Sequence, residues 1–115
     1  FSLTHTEVMY DGTLDQALSQ GIVPMAWKPL GDLFDASDER TQRIAKAAEP
    51  LCKKYDLTLA GLAIAFLKRH PSGVLPVVGT TDTDRLEALK KGVSVELELE
   101  DWFILLEASQ GRRVP

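Results

Sequence analysis

Hydrophobic positions along this chain change period several times, and each change marks a predicted element. Residues 1–6, FSLTHT, alternate apolar and polar, which predicts the end of a strand. A loop over 7–12 closes on Asp11-Gly12. Thr13-x-x-Gln16 then has the form of a capping box that starts a short helix over 14–20, stopped by Gly21. Residues 22–27, IVPMAW, are continuously apolar, as strands covered on both faces are, and Pro24 is tolerable near the strand start. An irregular loop follows over 28–38, KPLGDLFDASD. Next, Ile44, Ala48, Leu51 and Tyr55 recur at helical spacing and predict a helix over 39–55, which Pro50 should kink or split. Thr58 should cap a second helix carrying Leu59, Leu62, Phe66 and Leu67 and ending at His70-Pro71. A strand over 74–78, a helix over 82–91 and an extended stretch over 93–97 complete the alternation. Glu98 then starts a helix over 99–108 in which Trp102, Phe103, Leu105 and Leu106 pack.

The order is strand, helix, strand, helix, helix, strand, helix, helix. Such alternation predicts an α/β fold with parallel strands joined by right-handed crossovers. Three parallel strands with covering helices are few for a doubly covered sheet. They fit better as the C-terminal part of a TIM-type (β/α)₈ barrel, an incomplete domain over residues 1–115. A whole barrel takes about 250 residues. The chain also opens at Phe1, inside the first predicted strand and without a methionine, which reads as a piece of a longer protein.

Composition narrows the functional classes. An apolar content of 44% with 26% charged residues is ordinary for a globular domain. The net charge of −4 argues against a nucleic-acid partner, which needs a basic face. A helix-turn-helix reading of residues 58–89 fails for the same reason. The single cysteine, Cys52, rules out an internal disulfide and a cysteine-rich zinc site. No apolar run reaches membrane-spanning length, and no signal peptide opens the chain, so the default expectation is a reducing, cytoplasmic compartment.

The candidate chemistry lies at strand C-termini. VLPVVGTTDTDRLEAL is a short strand that stops at Gly79 and feeds a helix whose first N–H groups lack internal partners. Thr80, Thr81 and Arg85 at that corner suit a phosphate monoester. Barrel ligand sites fall at such ends, and the other such end in this chain carries KPLG. The bland alternatives are a capped strand-to-helix turn, a surface pairing of Arg85 with Asp82 or Asp84, and a solvated loop lysine at Lys28.

These segments together resemble the aldo-keto reductases. FSLTH, AWKPLG, TLAGLAIAFLKRHP, LPVVGTTDTDRLEAL and LELEDWFILLEAS stand in the order and spacing of that family's C-terminal part. The resemblance implies a (β/α)₈ barrel that reduces carbonyls with NADP(H), NAD(H) being the alternative cofactor. It places Trp27 against the nicotinamide face and Lys28, Pro29, Leu30 and Gly31 along the pyrophosphate. Thr80 matches a hydroxyl residue that meets the 2′-phosphate, and Arg85 the arginine that lies over adenine beside it. Gly79 stands where many members have a lysine, and Ala88 and Leu89 where many have a Glu-Asn pair. Both departures bear on the NADP preference.

The family's catalytic tetrad of Asp, Tyr, Lys and His lies on the first four strands, none of which this chain contains. His5 and Tyr10 match no tetrad position. The resemblance therefore implies a cofactor-binding half that is inactive alone, with the nicotinamide dinucleotide and a small carbonyl substrate as partners of the parent enzyme. The other reading is an inactive half-barrel scaffold. A half barrel leaves strand edges and an apolar interior to be covered by an N-terminal half or by self-association.

Overall fold

The computed structural model describes residues 1–79 and 82–113. Its framework is α1 (Thr13–Ser19), β1 (Met25–Ala26), α2 (Glu39–Tyr55), α3 (Leu59–Arg69), β2 (Leu75–Pro76), α4 (Thr83–Ser94) and α5 (Leu99–Gln110). The strands pair in parallel, Met25 opposite Leu75 and Ala26 opposite Pro76. Helices therefore dominate, around a two-stranded parallel ribbon, as in part of a barrel.

The expectation of three parallel strands is corrected to two among the described residues. Residues 1–6 form a tight turn closed by a Ser2–His5 antiparallel bridge. Ser2 N–H donates to the His5 carbonyl at 3.0 Å and His5 N–H to that of Ser2 at 3.1 Å. Hydroxyls promote the turn, because Ser2 Oγ also accepts from His5 N–H at 3.1 Å and Thr4 Oγ1 lies 3.1 Å from Ser2 Oγ. The apolar–polar alternation misleads here, since Ser2, Leu3 and Thr4 are all buried.

The ribbon is also shorter than the apolar runs suggest. Leu75 N–H donates to Pro24 and Val77 N–H to Ala26, both at 2.9 Å, while Pro24 and Pro76 have no N–H to extend the ladder. Nor is it covered on both faces: Ala26 and Val74 are buried, but Met25 is 60% exposed and Ile22, Val23, Leu75 and Val77 are exposed with it.

Helix ends follow local chemistry more than the expected residues. The Thr13–Gln16 capping box does not form; Gly12 is the N-cap of α1, and Asp11 Oδ1 accepts from Thr13 N–H at 2.9 Å. A 3₁₀ turn, Glu7–Met9, occupies the expected loop before it. Thr58 caps α3 as predicted, its Oγ1 accepting from Gly61 N–H at 3.0 Å. α2 runs unbroken through Pro50, which faces solvent, where water can reach the carbonyl left without a donor. α4 continues through Val93 and Ser94, expected to be extended, with Ser94 Oγ donating to the Lys91 carbonyl at 2.8 Å.

The core centres on α3, whose residues 61–67 are all buried. Leu62, Phe66 and Leu67 meet Ile44 and Leu51 of α2 and Trp102, Leu105 and Leu106 of α5. Against its other side, α4 packs through glycine. A methyl group on Gly61 would stand 2.9 Å from the Ala88 carbonyl, and one on Gly92 would collide with the backbone of Gly61. That close approach fixes how α4 lies against α3, and α4 forms one wall of the cleft described next.

Candidate functional site

β1 releases the chain at Ala26, and Trp27 turns outward, 77% exposed. Lys28 follows with φ +48°. A turn then closes, Gly31 N–H donating to the Lys28 carbonyl at 2.8 Å, with Pro29 buried and Leu30 half-buried beneath it. Gly31 needs its own identity: φ is +53°, and a Cβ there would collide with the hydroxyls of Thr4 and Ser2. The N-terminal turn thus clamps this loop. Thr4 Oγ1 accepts from Asp32 N–H at 3.2 Å, and His5 Nε2 lies 3.7 Å from Asp32 Oδ2.

The exit of β2 and the first turns of α4 form a second wall, and together they enclose an open cleft of about 1040 Å³. Trp27, Lys28, Pro29, Leu30 and Gly31 from the first segment line it with Gly79 and Arg85 from the second. Thr80 and Thr81, the remaining candidate site residues, lie outside the described residues. Ala88 and Leu89 also line it. Among the described residues nothing lies within 4 Å of a Cβ placed on Gly79, so they leave its backbone open to a ligand.

The α4 N-terminus is not a bare anion site, because Asp82 caps it, Oδ1 accepting from Arg85 N–H at 3.1 Å. The lining cations are Lys28 and Arg85, and Asp84 is the lining carboxylate; the remaining surface is mostly apolar. Sequence reasoning missed Phe34, Val77 and Val78, which supply much of that apolar wall. A phenylalanine set between polar residues in the 28–38 loop was the available signal, and the structure shows it exposed.

Such a cleft suits an elongated ligand with flat rings and anionic groups: indole and guanidinium planes to stack on, two cations, and accessible backbone at glycine.

A second polar constellation lies elsewhere. Tyr55 donates its hydroxyl hydrogen to the Asp101 carboxylate, Lys54 Nζ reaches Asp101 Oδ2 at 2.7 Å and Glu98 Oε2 at 3.2 Å, and Glu98 N–H donates to Tyr55 Oη at 3.0 Å. Burial opposes the charge on Asp101, but hydrogen bonds from Lys54 and Tyr55 outweigh it and leave the carboxyl below its ordinary value. Burial and then the Asp101 hydrogen bond raise Tyr55, and the Asp101 contact raises Lys54. A phenol held more firmly neutral, outside the cleft, ties α2 to α5 and is no proton donor for a ligand there.

Among the described residues no group of three or more His, Cys, Asp or Glu could hold a metal ion, and no helix is long and apolar enough to cross a membrane.

Comparison with known proteins converges on one family. Residues 2–109 match the profile of the Aldo/keto reductase family. The chain is 31% identical over 107 residues to a 6-dehydroglucose reductase of Novosphingobium aromaticivorans, covering 91% of this chain and 35% of that protein. It is 33% identical over 112 residues to the uncharacterized oxidoreductase YcsN of Bacillus subtilis, covering 95% and 37% respectively. It therefore spans little more than a third of the length of these relatives. The fold superposes with a TM-score of 0.81, at 18% identity, on a thermostable aldo-keto reductase, Tm1743, solved with the inhibitor epalrestat; 94% of this chain and 37% of that one are covered.

Proposed function

The chain belongs to the aldo/keto reductase family, and on that premise we propose that it is the cofactor-binding C-terminal segment of an NADP(H)-dependent reductase converting carbonyls to alcohols. Residues 1–115 are then one incomplete unit of the barrel, working in the cytoplasm. The supporting observation is that Trp27 and Lys28 line one cleft with Arg85, which is far from them in sequence.

The residues present fit a nicotinamide dinucleotide. Trp27 stacks on the nicotinamide, and the Lys28–Gly31 turn follows the pyrophosphate. Gly79 lets the backbone approach, and Arg85 stacks on adenine while pairing with the 2′-phosphate, helped by Thr80 and Thr81. The bound cofactor supplies the hydride. The groups that protonate the developing alkoxide belong to a tetrad outside this chain, so the 115 residues alone are inactive. NAD(H) is the alternative cofactor, since Gly79 adds no cation for the 2′-phosphate.

Titrating the chain with NADPH while following energy transfer from tryptophan to the reduced nicotinamide tests this. Saturable transfer without reduction of an aldehyde is expected. Absence of binding by the folded chain, or aldehyde reduction by it, overturns the reading.

A second reading, a half-barrel scaffold that self-associates, draws on the exposed apolar face of Ile22, Val23, Met25 and Leu75. Sedimentation velocity distinguishes it: a dimer that dissociates in Met25→Lys supports it, and a monomer at high concentration removes it.

A further inference from the structure

The clamp on the Lys28–Gly31 turn is built around an imidazole. His5 Nδ1 lies 3.0 Å from Thr4 Oγ1 and 3.4 Å from Ser2 Oγ, the two hydroxyls that leave no room for a side chain at Gly31. Thr4 Oγ1 also accepts from Asp32 N–H, so one hydroxyl joins the ring to the backbone that follows Gly31. The far side of the ring returns to the same residue, with Nε2 standing 3.7 Å from Asp32 Oδ2. That gap is too long for a hydrogen bond from a neutral ring and short enough for an imidazolium to attract the carboxylate. From the elements packed on this turn, the charged groups that reach it are Asp32 of the loop and Arg40 of α2, whose guanidinium donates to the Thr4 carbonyl at 2.7 Å. The clamped segment needs holding. Lys28 has φ +48°, a left-handed conformation disfavoured for lysine, which persists where the surrounding structure enforces it.

We propose that His5 is a positioning residue for the cleft: when protonated it latches onto Asp32, holds the Lys28–Gly31 turn in its ligand-binding shape and raises nucleotide affinity. Histidine changes charge between about pH 5 and 8, so the latch tightens as the pH falls through that range. His5 touches no ligand in this role and acts through Asp32 and the Thr4 hydroxyl. The inference rests on the dinucleotide reading of the cleft and deepens it, because it makes that site's affinity respond to pH. The two side chains are 55% and 67% exposed, so the effect is that of a surface ion pair, about two- to fivefold.

Two measurements on the parent, His5→Gln and Asp32→Asn, at about pH 5.5 and about pH 8, test this. Hydrogen exchange at the Gly31 and Asp32 amides, expressed as protection relative to an unstructured chain, reports closure of the turn without ligand. Quenching of tryptophan fluorescence by NADP⁺, which is stable in acid, reports affinity. His70 and the nucleotide's own phosphate are common to all three titrations, so their contributions cancel in the comparison. In the parent, protection and NADP⁺ affinity should both rise about two- to fivefold more on acidification than in either variant. Protection that responds to pH equally in parent and variants overturns the latch and leaves the dinucleotide reading standing. A latch seen in exchange, with the same pH profile of NADP⁺ affinity in all three proteins, overturns the positioning role. Failure of NADP⁺ to bind the folded parent at either pH removes the dinucleotide reading, and exchange then decides the latch alone.

Discussion

The indole of Trp102 lies flat on the ring of Phe66, centroids 5.0 Å apart with 10° between planes, and donates Nε1–H to the Phe66 carbonyl at 3.0 Å. One residue of α5 thus grips both the side chain and the backbone of α3. Trp102→Ala should cost about 3–5 kcal/mol by opening a cavity at the centre of the helix layer. Trp102→Phe should cost less, keeping the stack and losing the hydrogen bond. Urea unfolding followed by far-UV circular dichroism ranks the two, and equal losses would mean that the ring stack contributes nothing.

Gly92→Ala tests the glycine contact between α3 and α4. The added methyl meets the Gly61 backbone, which has no flexible side chain to yield, so α4 must shift. Overpacking of this kind destabilises by about 1–3 kcal/mol. Because α4 carries Arg85 into the cleft, dinucleotide affinity should fall with it. Gly73→Ala serves as a contrast: among the described residues nothing lies within 4 Å of a Cβ there, but φ is +70°, so it should cost backbone strain and leave cleft affinity untouched.

His70 predicts a pH dependence between neutral and mildly acid conditions. Its Nδ1 accepts from Ser72 N–H at 3.1 Å, and its ring meets Phe1 edge-on. Burial holds its pKa below the ordinary value of 6.5, partly countered by Asp15. A depressed histidine pKa means that the unfolded chain binds the proton more readily. Its contribution is therefore fully present above 6.5 and is lost as pH falls through the folded value. The urea midpoint should drop between pH 7.5 and pH 5 in the parent and drop less in His70→Gln.

Helices α2 and α3 were legible in the sequence because each has an apolar face at helical spacing and a capping side chain: Ile44, Ala48 and Leu51 behind Asp38, and Leu62 and Phe66 behind Thr58. The strands were overread. Their apolar runs persist, but pairing stops at prolines, and residues 1–6 spend their polar groups on a turn that periodicity does not register. Assembly of the cleft from residues 27–31 with Gly79 and Arg85 was foreseeable from the rule that barrel ligands sit at strand ends. Positive φ at Lys28 and the collision that requires Gly31 were not, because both depend on which backbone passes nearby.

Arg85 offers the sharpest test of cofactor preference. It lines the cleft from the first turns of α4, and its backbone N–H is already used by the Asp82 cap, so the side chain can change while the cap stays. A guanidinium both stacks on adenine and pairs with a phosphate monoester. The two roles separate by ligand, because NADPH carries the 2′-phosphate and NADH does not. Loss of a charged hydrogen bond corresponds to about 1.5–3 kcal/mol, roughly tenfold to a hundredfold in affinity. Arg85→Ala should therefore weaken NADPH by at least about tenfold and NADH only by the lost stacking. Arg85→Lys should recover part of the NADPH affinity through charge alone. Fluorescence titrations of both nucleotides against the three proteins measure this directly. An equal loss for the two nucleotides would assign Arg85 to adenine alone and leave the 2′-phosphate to other groups.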